Sequence, residues 1–174
     1  MLKPSFWFKP LATLVVGTVV LVGSAVAQQI DKADADLLQD IARANIAEIE
    51  TGKLAAQKTK DPNVKKFAQM MVTDHTTGLA DVKKVAAAKG VELPKSPDAL
   101  HKAAALEFKA LRGDMFDSRY IKQAGVGDHE ATEKLLQKTQ TEAKDADLKA
   151  LAGKMLPVVQ AHLVHAREMA AAKK

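Results

Sequence analysis

The chain has 174 residues, 26 of them basic and 21 acidic, and a formal net charge of +5. So mild an excess, with sparse aromatic residues, argues against nucleic acid as a partner. Cysteine is absent, which excludes a thiol nucleophile, a zinc-thiolate site, a disulfide framework and a lipidated lipoprotein start.

The N-terminus carries Lys3 and Lys9 and no acidic residue before Asp31. An apolar run from Leu11 to Val22 leads through Gly23 and Ser24 to the small-x-small pattern Ala25-Val26-Ala27. That order predicts a secretory signal peptide over residues 1–27, and hence an exported protein in the periplasm or envelope. The alternative is an uncleaved anchor, since the uncharged stretch runs on to Ile30 and just suffices to span a bilayer. Cleavage after Ala27 removes two lysines and leaves residues 28–174 with a charge of +3, one domain without a stable membrane span.

This remainder is rich in Ala, Lys, Leu and Glu, and nothing in it alternates as a strand does. The first helix is expected over about 33–59, with acidic residues at its positive end. Asp61 reads as a cap and Pro62 as the opening residue of a second helix, which runs to Lys89 and stops at Gly90. Pro94 and Pro97 mark a loop, and a shorter helix follows over about 98–112. Gly113-Asp114 breaks the chain before a helix from about Met115 to Glu142. The last helix spans about 148–172 and contains Pro157, which should kink it.

Polar residues interrupt the apolar stripes of these helices. The second helix has the ladder 64, 68, 71, 75, 79, 82, 86, apolar except at His75. The last helix has 148, 152, 155, 159, 162, 166, 169, with His162 the polar rung and His165 at the stripe's edge. The first helix places Asn45 and Glu48 where apolar residues belong, and a buried carboxylate there requires a partner.

In the third long helix Phe116, Tyr120 and Ala124 share one phase, whereas His129 is in phase with Leu136. The mismatch falls at Gly125-Val126-Gly127, where one extra residue in a π-bulge would turn His129 toward the core. Counting residues from the turns puts Glu48, His75, His129 and His162 near one level, the way bundle cores build metal sites.

The segments Val64-Lys65-Lys66-Phe67-Ala68, Met71-Val72-Thr73-Asp74-His75-Thr76, Leu93-Pro94, Phe116-Asp117-Ser118-Arg119-Tyr120, Asp128-His129, and Leu156-Pro157 ahead of His162-Leu163 together resemble a bacterial exported family, domain of unknown function 4142. The resemblance runs from Asp34 to Met169. It implies an all-α, ferritin-like four-helix bundle with a short extra helix in the crossover, in the periplasm or on the envelope, and no established activity. It maps the family's histidines to His75, His129 and His162, although the third-helix histidine of the family often lies one residue nearer its Phe-Asp-x-x-Tyr motif.

The sharper functional expectation is a metal site of Glu48, His75, His129 and His162, a donor set suited to zinc, iron or copper. Asn45, Tyr120 and His165 are candidate outer partners, as is Asp117. Asp74 and Asp128, one step before a histidine, read as solvated. The competing expectation is a structural or stress-related envelope protein whose core histidines are only hydrogen-bonded. A di-iron ferroxidase centre is disfavoured, because Val72 and Val159 stand where its Glu-x-x-His pairs need glutamate. No catalytic residue is assigned, since neither a nucleophile elbow nor a nucleotide-binding loop occurs. Homo-oligomerisation stays open.

Overall fold

The computed structural model describes residues 30–172; the expected signal peptide lies outside them. Six α-helices and one π-helical segment follow in order: α1 Lys32–Lys58, α2 Pro62–Lys89, α3 Ala99–Ala110, α4 Gly113–Tyr120, the π segment Ile121–Asp128, α5 His129–Glu142 and α6 Ala146–Ala172. The backbone stays helical from α4 through the π segment into α5, so these three form one rod. Four long rods make the bundle, and α3 is the short extra helix in the crossover. No strand occurs among the described residues, and no helix there is long and apolar enough to cross a membrane.

The helix ends follow from local chemistry. The Asp61 carboxylate accepts from the N–H groups of Asn63 and Val64, and Pro62, which lacks an N–H, opens α2. Gly90 closes that helix in the left-handed conformation at φ 67°, which costs glycine little. Asp98 caps α3 from outside, so that helix is shorter at both ends than its apolar pattern suggests. Helix α6 continues unbroken through Pro157.

The turn into α6 is braced from the far side of the bundle. Buried Asp34 accepts from the backbone N–H groups of Lys144 and Asp145, at 3.0 and 2.7 Å to one oxygen. Lys89 at the end of α2 reaches Asp145 and Asp147, each at 2.7 Å.

Two apolar clusters fill the bundle. One is built around Leu38, Ile41, Val82, Leu136, Leu148 and Val159. The other contains Val64, Phe67, Met71, Phe108, Phe116 and Tyr120. Full burial of each such side chain stabilises the fold by about 1.5–3 kcal/mol. Along every long rod the residues of one cluster give way to those of the other, and the polar positions 45, 48, 75, 129 and 162 fall at the changeover. The bundle therefore carries one buried polar layer at mid-height.

Candidate metal centre

His75, His129 and His162 are 4%, 1% and 3% exposed. Their ring centroids form a near-equilateral triangle with sides of 5.4, 5.4 and 5.5 Å. One ligating atom from each lies within 4.8 Å of the other two. Helix α2 supplies His75, α6 supplies His162, and the π segment orients His129, the first residue beyond it. Its wider turn absorbs the phase mismatch between Tyr120 and His129 and brings both side chains into the core.

Each ring has one nitrogen committed to a fixed acceptor. Nδ1 of His129 lies 2.8 Å from the carbonyl oxygen of Ala124, which can only accept, so the proton sits on Nδ1. The amide nitrogen of Asn45 donates to the Ile41 carbonyl at 2.8 Å and turns its oxygen toward His75. Nδ1 of His75 therefore donates to Asn45 at 3.1 Å. Nε2 of His162 donates to the Asp74 carboxylate at 2.9 Å.

The remaining nitrogens are Nε2 of His75, Nε2 of His129 and Nδ1 of His162. In neutral imidazoles all three carry lone pairs. The two Nε2 atoms face each other at 3.4 Å. Nδ1 of His162 is buried and has no hydrogen-bond partner among the described residues.

A second proton on any ring would relieve this arrangement, but the surroundings oppose it. Burial, and then the neighbouring His129 and His162, hold His75 well below the usual histidine range. Burial pushes His129 down to about 4, against the Ala124 hydrogen bond that raises it. His162 is also lowered by burial, partly offset by Asp74. At neutral pH the layer thus presents three unprotonated nitrogens to one another.

Glu48 stands behind this group. Its Oε1 is 3.5 Å from Nδ1 of His129, the nitrogen already bonded to Ala124. Its Oε2 has no hydrogen-bond partner among the described residues. Burial, then the charge of Asp128, raises the Glu48 carboxyl well above the usual carboxylate range. The group within reach of one ion comprises the three histidines without Glu48.

The other expected residues separate. Asn45 orients His75. Tyr120 stacks on Phe116 at 6.1 Å, and its buried hydroxyl is raised by burial and by the nearby charge of Glu48. His165 instead packs edge-on against Phe67 at 5.3 Å, outside the triangle. Asp117, the further candidate, is buried.

Asp74 corrects the sequence reading. It is half-exposed, as a solvated residue would be, yet it reaches from α2 across to His162 on α6. A residue that the sequence reading did not single out is Gly78. A Cβ there would lie 2.7 Å from Oδ1 of Asn45, so only glycine leaves Asn45 room to hold His75. A glycine in the interior of a long helix was the signal for it.

Fold and site together define an all-α bundle with a buried, proton-poor histidine cluster in its core. The chain belongs to the family described as Domain of unknown function (DUF4142), which matches residues 22–169. A solved structure, "CopM in the Cu(II)-bound form", shares the fold with a TM-score of 0.68 at 14% identity, over 81% of this chain and 97% of that one. No curated protein sequence matches the chain.

Proposed function

We propose that the mature chain, residues 28–174, is an exported periplasmic or envelope protein that binds one transition-metal ion through Nε2 of His75, Nε2 of His129 and Nδ1 of His162. The observation that carries this reading is the meeting of three buried ring nitrogens that have no proton to share. Imidazoles bound to a metal characteristically donate their other N–H to a carbonyl, an amide or a carboxylate. Ala124, Asn45 and Asp74 are placed to accept those three donations.

Spacing supports the same reading. Two imidazole nitrogens bound at about 2.0–2.1 Å in tetrahedral geometry stand roughly 3.3–3.4 Å apart. The His75–His129 separation of 3.4 Å already has that value. Glu48 then acts as an outer carboxyl behind His129.

Copper is the favoured occupant. It heads the affinity order of divalent first-row metals for nitrogen donors, with zinc and iron as competitors. The likeness to a copper-bound bundle agrees with that choice. The proposed role is binding of the ion. The reading with hydrogen-bonded core histidines only must explain two lone pairs facing each other at 3.4 Å.

The test is elemental analysis of untagged protein purified from the periplasm. One equivalent of copper, zinc or iron is expected in the wild type and none in His75→Ala/His162→Ala. Absence of metal after incubation and desalting would refute the proposal.

A further inference from the structure

The three histidines are almost wholly buried, so an ion in solvent needs a way to reach them. Between α2 and α6 lies a cavity of about 220 Å³, partly open to solvent, with His75 and His162 among its walls. That volume exceeds the roughly 180 Å³ that six waters occupy in the liquid. His162, one of its lining residues, carries a buried Nδ1 that has no hydrogen-bond partner among the described residues.

Two carboxylates line the cleft, and they differ in what they hold. Asp81 accepts from Lys84 at 3.0 Å and from Lys154 at 2.6 Å, which neutralises it. Asp74 has no lysine or arginine paired with it among the described residues; its ion-pair partner is His162, itself a proposed ligand. A half-exposed carboxylate bonded to a buried imidazole joins solvent to the ligand set in one step. Val158, 44% exposed on α6, forms part of the rim.

We infer that this cleft is the vestibule through which a hydrated divalent cation reaches the histidines, with Asp74 the carboxylate that first captures it. The inference rests on the metal-centre reading above. A hydrated ion exchanges a water for an Asp74 oxygen, then exchanges the remaining waters for imidazole nitrogens as it passes inward. Release follows the same route in reverse.

The test is stopped-flow loading of the protein with Cu(II), followed by removal with a chelator. Val158→Trp narrows the rim without touching a ligand. Loading and release are expected to slow by the same factor, about tenfold, with the dissociation constant unchanged. Lys154→Ala removes a positive charge from the mouth and should speed loading severalfold at low ionic strength, with the gain disappearing in salt. This second variant alters an exposed side chain and keeps the test available if the tryptophan variant fails to fold. Wild-type rates in both variants, with Cu(II) still bound, would overturn the vestibule and leave the metal centre standing. In Val158→Trp, a change in affinity without a matched change in both rates would do the same. Failure of the wild type to bind Cu(II), zinc or iron would overturn both.

Discussion

Oδ1 of Asn45 receives the Nδ1 proton of His75 at 3.1 Å, and it does so because Gly78, one turn beyond His75 on the same helix, has no side chain. A Cβ on Gly78 would stand 2.7 Å from that oxygen and 3.2 Å from the methyl carbon of Met155. The amide on α1, the imidazole on α2 and the missing methyl group are thus one device, which turns Nε2 of His75 toward His129.

Gly78→Ala should therefore behave against expectation for a helix. Replacing an interior glycine with alanine ordinarily stabilises a helix by about 1 kcal/mol. Here Asn45 must move, and His75 loses its acceptor. A lower melting temperature is expected, together with metal affinity weakened by roughly 10–100-fold, the usual effect of losing an outer partner. Thermal melts and metal titration check both, and a raised melting temperature with wild-type affinity would contradict the account.

The pH dependence of metal affinity should be displaced downward. An exposed histidine begins to take up protons, and so to release metal, below about 6.5. Burial holds His129 unprotonated down to about 4 and His75 well below the ordinary range. With His162 lowered as well, the loss of affinity should set in at a lower pH than for a site of exposed histidines. The fold follows the same sign: the unfolded chain binds these protons first, so the stability present above pH 6.5 is lost as pH falls toward 4. A loss of affinity that sets in at the pH expected for exposed imidazoles would count against buried ligands.

Glu48 works in the opposite direction. Its folded value lies above its ordinary value, so the folded state keeps a proton that the unfolded chain releases. Stability is full below the ordinary carboxylate range and falls as pH rises above it, by at most about 1.4 kcal/mol per pH unit for one proton. Glu48→Gln removes that slope. The metal-free variant should melt higher than wild type at pH 7–8, measured by circular dichroism. A lower melting temperature throughout would mean that Glu48 has a charged partner in the folded state.

Much of this layer was legible in helical periodicity. His75 and His162 each replace an apolar rung, and both point inward. The phase break between Tyr120 and His129 marked the place where the helix widens into the π segment. Asp74 was hidden, because a helical wheel places it about 100° from His75 and says nothing of the helix beside that face. It becomes a partner only when α6 packs against α2. The Ala124 carbonyl left no trace, since backbone acceptors have no side-chain signature. His165 sits at the edge of the stripe that carries His162 but lies one turn further along α6, level with Phe67 and the aromatic cluster rather than with the polar layer.

The central claim is that three imidazoles meet at one ion, and X-ray absorption at the metal edge tests it most directly. Zinc-loaded protein should show three imidazole nitrogens at about 2.0–2.1 Å, falling to two in His129→Ala. A shell of oxygen alone, or an imidazole count that His129→Ala leaves unchanged, would contradict the account.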